Sequence, residues 1–417
     1  MHGRKLYKQI DQHMKNILKL ISGVLIGIAA GLAIGSLISI IFTDTTPAEY
    51  AGKLLSVDTL ETVGAALVAI AAFLISIAIL IPVHEAGHLV CGLLSGYRFV
   101  SFRIFNATII KEGGKLKIKK FAVAGTGGQC LLTPPDKPLE EIGTGWYNAG
   151  GVIANILALL AVIPLFLLDI HPYAFVALCI FCLTDAFMIL TNGIPMKLGG
   201  IGNDAHNMLH LRHNSKSKRA ILLQLKSNAL IQEGMRPGDM PEEWFVLPSS
   251  IDYKNQLEVS LPLMHASRLV DEMRFEEAYN EFEELYSHRQ DIMQLYVSEI
   301  SCELAFCALM TGRTEEAERL LDDKLKNYVT TYSKVMSSKL RLLCAMSLLL
   351  DGDREKAEKI YRGLETEKDS YLLQGEVKSD LYLMRRMLVC SESNPEQFED
   401  ERCQQGREQA IDGKAER

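Results

Sequence analysis

No disulfide framework runs through this sequence: its nine cysteines are odd in number and follow no framework spacing, which fits a reducing compartment and excludes a stapled secreted scaffold. No small-residue cleavage site stands in the right place after the first apolar run, residues 20–42, and that run is too long for a secretory leader, so it reads as a retained helix. Charge is missing from the runs 20–42, 63–83 and 149–168, each long enough to span about 30 Å of hydrocarbon as helix. A fourth run, 174–190, is shorter and carries Asp185 in its interior. No second membrane domain follows: beyond Leu211 the composition turns basic and then polar.

The charges that flank these runs set an expected orientation. Arg4, Lys5, Lys8, Lys15 and Lys19 precede the first run, whereas the loop after it holds only Lys53 among several acids, so the N-terminus is expected in the cytoplasm. The second helix then runs inward and meets a basic segment, Arg98, Arg103, Lys111, Lys115, Lys117, Lys119 and Lys120. The third and fourth helices form a hairpin about Asp169-Ile170-His171-Pro172, which returns the C-terminus to the cytoplasm. Cys179-x-x-Cys182, inside the fourth run, reads as small residues packed in the bundle rather than as a redox or metal pair.

Chemistry enters at the end of the second run, with Ile81-Pro82-Val83-His84-Glu85-Ala86-Gly87-His88. Histidines four residues apart share one helix face and can reach one Zn²⁺, while the glutamate between them is placed to activate water. Ionisable groups in hydrocarbon cost several kcal/mol by some scales and are normally kept for a function, which outweighs the alternative that the histidines only line a polar crevice. A zinc site needs a third ligand, and the stretch after the fourth run offers one. Asn192 and Pro195 end that helix, glycines follow, and Asn203 or its neighbour caps a new helix that presents Asp204. His206 is a rival ligand, and Asp185 is either a weaker one or a partner that orients an imidazole.

These elements together resemble the site-2 protease family of intramembrane zinc metalloproteases, whose core is three transmembrane helices, over about residues 63–213. The family's HExxH is matched by His84, Glu85 and His88. Its Gly-Pro-x-x-Asn element is matched by Gly151-Val152-Ile153-Ala154-Asn155, with valine for proline, and its Asn-x-x-Pro and Asp-Gly elements by Asn192, Pro195 and Asp204. A glycine-rich insertion separates Pro195 from Asp204, and Ala205 replaces the usual glycine. The resemblance implies zinc on His84, His88 and Asp204, with Glu85 as the base. Asn155 or Asn192 is a candidate to steady the developing oxyanion, since a neutral amide donates hydrogen bonds without adding buried charge, and Asn192 serves equally well as a helix–helix contact.

Residues 99–132 read as strands, with Lys115, Lys117 and Lys119 alternating against Leu116 and Ile118 after a Glu112-Gly113-Gly114 turn, and predict a β-hairpin beside the site. The resemblance implies that an exposed strand edge holds an unwound substrate segment; a basic hairpin on anionic headgroups is the compatible alternative. Farther on, Met273-Arg274-Phe275-Glu276-Glu277-Ala278, Gly312-Arg313-Thr314-Glu315-Glu316-Ala317 and Gly352-Asp353-Arg354-Glu355-Lys356-Ala357 align, with alanines 39 and 40 residues apart. That period looks like divergent tetratricopeptide repeats.

The expected protein is therefore mainly α: a polytopic bundle of about four transmembrane helices with a small β-hairpin, plus a soluble helical-repeat domain. Residues 1–62 hold the basic segment, first helix and external loop, 63–213 the protease core, 214–260 a linker, 261–390 the repeats and 391–417 a disordered tail. The expected activity is that of a multi-pass membrane metalloendopeptidase that binds Zn²⁺ and cuts a transmembrane protein or a peptide precursor, in the manner of regulated intramembrane proteolysis. The repeats would dock a substrate, protein or peptide partner, and no nucleic acid is expected as a partner. Two competitors are a silent scaffold or immunity protein of the same fold, against which Glu85 argues, and a channel or transporter, which would bind no metal.

Overall fold

A computed structural model describes residues 59–112, 115–120, 127–198 and 200–390. The expected first membrane helix, the Gly113-Gly114 turn and the tail from residue 391 lie outside the described residues. Contacts divide the chain into two compact units, with boundaries after Ala72 and at each end of His171–Ala177; every residue of the candidate site falls in the second. The described residues are mainly helical, with 13 α-helices and a small antiparallel sheet.

Among the described residues three helices are long and apolar enough to cross a membrane. Helix α1 (Thr59–Leu94) carries Pro82 inside it and continues past the histidine motif that was expected to end the apolar run. Helix α2 (Gly145–Val162) is prolonged by a 3₁₀ turn, Ile163–Leu167, and α3 (Pro172–Gly193) starts at a proline, whose fixed φ suits a first helical turn. Leu74, Ile75, Leu157, Leu160, Phe187 and Leu190 on these helices stay exposed. In water a helix hides such side chains in a core; hydrocarbon makes that unnecessary.

Between α1 and α2 the chain forms more than a hairpin. Strands β1 (Arg98–Ile104), β2 (Ala107–Glu112), β3 (Lys115–Lys120) and β4 (Gly128–Thr133) make a four-stranded antiparallel sheet in the order β3-β2-β1-β4. The alternation of Leu116 and Ile118 with lysines identified only the β2–β3 pair. The other two strands are set by burial, since Leu132 and Cys130 of β4 join Tyr97 and Ile142 in a small core with Leu222 and Leu225.

Those last two leucines belong to a region expected as a linker. Residues 214–260 instead hold α5 (Ser215–Glu233), which follows α4 (Asp204–His213), and then two 3₁₀ turns. Pro237 opens the first turn and Pro241 caps the second, and an ion pair from Arg236 to Asp271 (2.9 Å) fastens the first to the next helix. Lys119 Nζ of β3 also donates to Tyr371 O at 2.9 Å, tying the sheet to the C-terminal helices.

The C-terminal helices are α6 (Gln256–Asp271), α7 (Phe275–Ser287), α8 (Gln294–Met310), α9 (Thr314–Leu320), α10 (Asp323–Tyr332), α11 (Ser337–Leu349), α12 (Arg354–Glu367) and α13 (Gln374–Cys390). They share one apolar core, in which Ala278, Ala317 and Ala357 are fully buried. The residues opening the three aligned segments, Met273, Gly312 and Gly352, all adopt the left-handed region, with φ of 61°, 78° and 64°.

Candidate metal centre

The site begins with two helices that approach to backbone contact. A Cβ at Gly87 of α1 would run into the carbonyl of Gly150 on α2, and one at Gly150 into the carbonyl of Gly87. This crossing lays α2 against the face of α1 that bears His84 and His88. The next residue, Gly151, leaves the space their rings occupy, for a Cβ there would lie 2.5 Å from His84 Nε2 and 2.6 Å from His88 Nε2.

Asp204 arrives by a different route. The Asn203 amide donates to Thr191 O and Ile194 O (both 2.6 Å) at the end of α3, while its carbonyl oxygen accepts from Met196 N (3.2 Å) and His206 N (2.9 Å). Asn203 therefore both caps α4 and anchors it to α3, which fixes the first residue of α4. The glycine-rich insertion closes as a two-stranded turn, β5 (Lys197–Leu198) with β6 (Ile201–Gly202).

The three side chains converge. Asp204 Oδ2 is 3.1 Å from His84 Nε2 and 3.4 Å from His88 Nε2, and the two Nε2 atoms are 3.2 Å apart. Among the described residues this is the group of histidine, cysteine and acidic side chains whose ligand atoms lie together, all within 4.8 Å. The far side of each ring decides what Nε2 can do. His88 Nδ1 lies 2.7 Å from Tyr147 O, which only accepts, so Nδ1 carries the proton. His84 Nδ1 lies 2.6 Å from Asn155 Oδ1, and the Asn155 amide in turn donates to Asp185 Oδ1 at 2.8 Å. A carboxylate takes only the N–H end of an amide, so Asp185 turns the Asn155 oxygen toward His84 and its Nδ1 also holds the proton.

With its Nδ1 proton so committed, either ring, when it carries no second proton, points an Nε2 lone pair at the buried Asp204 Oδ2, which has no hydrogen-bond partner among the described residues. Three acceptors at these distances repel one another unless a cation, a metal ion or a proton, lies among them. Burial opposes the charge on Asp204, yet hydrogen bonding and charge from His84 and His88 when an Nε2 carries a proton hold its carboxyl at about 2, so the group meets a metal as a carboxylate and is fit to be a ligand. The residues present fit zinc: two imidazole nitrogens and one carboxylate leave a fourth position open.

Glu85 turns to the sheet. It takes a hydrogen bond from the backbone of Cys130, and Gly128 makes room for it, since a Cβ there would lie 2.6 Å from its Cγ. Arg103, counted in the sequence among the basic loop residues, is buried on β1 and donates to Phe105 O (2.9 Å) and Gly128 O (3.1 Å), clasping β4 beside Glu85. Nothing in its spacing set it apart from the exposed lysines. Burial and Glu85 push the Cys130 thiol up to about 12, so it stays neutral beside the site.

The remaining candidates are placed elsewhere or otherwise engaged. Both ends of the fully buried Asn155 amide are occupied by His84 and Asp185, and Asn192 donates to Met188 O of its own helix at 3.0 Å. His206 stacks on His210 with ring centroids 5.0 Å apart and is not in the convergent group. Asp185 reaches His84 through Asn155 rather than approaching the ligand atoms. Compared with known proteins, the chain gives no match to a family model, to a curated protein or to a solved structure.

Proposed function

We propose that this protein is a zinc-dependent intramembrane endopeptidase of the site-2 protease kind. The observation that carries the reading is the meeting of His84 Nε2, His88 Nε2 and Asp204 Oδ2 with both Nδ1 protons already committed. The first two residues lie on a helix long and apolar enough to cross a membrane. His84, His88 and Asp204 would hold the zinc, which when bound would supply a Lewis acid for a peptide carbonyl and lower the pKa of water. Glu85 then takes a proton from the attacking water and passes it to the departing amine. Asn155 and Asp185 hold His84 in the tautomer that keeps Nε2 free, and Tyr147 O does the same for His88.

The substrate is a transmembrane or juxtamembrane segment, or a small peptide precursor, that unwinds against the β4 edge where Glu85 sits. The chain is multi-pass, with four membrane helices, both termini in the cytoplasm and the lysine-rich strand β3 facing anionic headgroups. The C-terminal helices form tetratricopeptide-like repeats that dock the substrate or a regulator. Support for the repeats is the shared left-handed turn at Met273, Gly312 and Gly352, each followed by a buried alanine.

The test compares membrane-derived peptides by mass spectrometry in cells carrying the native protein or Glu85→Gln. Cleavage products present only with the native protein are expected, with about one zinc per chain in both purified forms. Identical peptide profiles together with absence of bound zinc would sink the proposal.

A further inference from the structure

A second polar constellation lies among the C-terminal helices and plays no part in the chemistry above. A cavity of about 260 Å³ is walled by α5, α6, α8, α11 and α13. Four carboxylates line it, Glu299, Glu303, Glu376 and Asp380, against one lining cation, Arg341, and a second, Lys339, bonded behind Glu299. Lys339 donates to Glu299 Oε2 at 2.7 Å, and Arg341 pairs with Glu303 and, at 3.1 Å, with Asp380, which also accepts from Ser337 Oγ at 2.6 Å. Three carboxylates are thereby matched to two cations. Among the described residues, burial and neighbouring charge act on Glu376 with no hydrogen bond to it, and Ser227 Oγ, also on the cavity wall, is buried at 4 % exposure with no partner there.

The position of Glu376 is fixed by packing. A Cβ on the preceding Gly375 would run into the Met235 carbonyl, so α13 begins in backbone contact with the turn that follows α5. Burial, then repulsion by Asp380 and Glu299, pushes the Glu376 carboxyl up to about 8, and Lys339 offsets this only in part. The rest of the wall is largely apolar, with Leu263, Met264 and Val270 from α6. The volume falls below the ~300 Å³ at which pockets for drug-sized ligands begin, which suits one side chain rather than a whole peptide.

We propose that this cavity is a binding site for a lysine or arginine side chain of a polypeptide partner, whose cation meets Glu376 and Ser227 Oγ and whose methylene stem lies along the α6 residues. The uncompensated carboxylate, the unpartnered hydroxyl and the apolar wall match the head and stem of such a side chain, which ordinarily keeps its stem on apolar surface and its charge on polar groups. The site stands apart from the metal centre and does not depend on peptidase activity.

The test is calorimetric titration of the purified full chain with an acetylated, amidated peptide bearing one central lysine in a glycine–serine context. The comparison peptide carries norleucine, of the same stem, in its place, and cadaverine serves as the free amine. Binding of the lysine peptide at least tenfold tighter than the norleucine peptide is expected, with about tenfold loss in Glu376→Gln, a smaller loss in Ser227→Ala, and none in Glu318→Gln, the same substitution at an exposed site. The raised carboxyl adds a second readout, because a bound cation favours its ionised form: near pH 7, binding should release a proton in the native protein and none in Glu376→Gln. A carboxyl raised in the folded state contributes fully to stability at low pH and loses that contribution as pH rises through about 8, so Glu376→Gln should melt no lower than the native protein at pH 8 and remain a fair test. Equal binding of the two peptides, or lysine binding that survives Glu376→Gln, would overturn the proposal, as would no binding at all. Cadaverine binding as tightly as the lysine peptide would replace the polypeptide partner by a free amine.

Discussion

Two groups of buried polar side chains in the second unit differ in how their charges are matched. Among α8, α11 and α13, each buried cation has a carboxylate: Lys339, with no exposed surface, on Glu299, and Arg341 on Glu303 and Asp380. Where α1 meets α2 and α4, three acceptors face one another and both available ring protons point outward to Asn155 and Tyr147 O. The two cations of the first group are matched within the chain and so serve packing, with Glu376 left over beside them. The second has no such match among the described residues, which is the support for the proposal that it holds a metal rather than forming a polar seam.

The largest expected effect breaks this contrast at Glu85. Because Glu85 lies beside the convergent ligands but outside the group, Glu85→Gln should lower peptide hydrolysis by about 10²- to 10⁴-fold while zinc content, measured by atomic emission, stays at the native level. His88→Ala or Asp204→Ala should instead lose the metal. Full zinc in Asp204→Ala together with loss in His206→Ala would transfer the third-ligand role to His206.

Breaking the matched group should be felt in stability and not at the metal centre. Arg341→Ala strands Asp380 and Glu303 among buried surroundings, and removal of one partner from such a pair costs about 3–5 kcal/mol. The denaturation midpoint of the C-terminal helices should fall accordingly, with zinc content unchanged. A variant that unfolds like the native protein would show that the pairs are not what holds α11 to α8 and α13.

A subtler change sharpens the picture of the open group. Asp185→Asn removes the carboxylate that turns the Asn155 amide, so the His84 tautomer is no longer imposed. Loss of such an outer partner typically weakens metal binding by about 10- to 100-fold, readable by competition with a chelator of known affinity. Unchanged affinity would mean that Asn155 keeps its orientation without Asp185.

Much of the candidate site was legible because its elements are local: four-residue spacing puts His84 and His88 on one helix face, and Asn203 before a polar helix reads as a cap. The partnership of Asp185 with Asn155 was not, since it joins residues 30 apart on different helices, and the sequence offers an oxyanion role for that asparagine just as readily. Arg103 hid among surface lysines because its burial depends on β1 pairing with β4, a long-range match with weak local pattern. Residues 214–260 misled for a physical reason: prolines mark turns whether the turns connect domains or are packed, and here an ion pair and α5 decide for packing.

The smallest effect concerns the turns between the C-terminal helices, where all three aligned segments open on a left-handed residue. At Gly312 and Gly352 nothing lies within 4 Å of an added Cβ, so alanine there meets no steric clash and tests the backbone conformation alone. An L-residue in that region costs roughly 1–2 kcal/mol, and Gly312→Ala and Gly352→Ala should each lower the unfolding free energy by about that much. Met273 already has a side chain at φ 61° and packs partly against the core, so Met273→Ala loses contacts without adding backbone strain. If the turns are equivalent units of one repeating design, the two glycine variants should lose equal stability with zinc content unchanged, whereas unequal losses or none would mean that the aligned sequence recurs without a shared structural requirement.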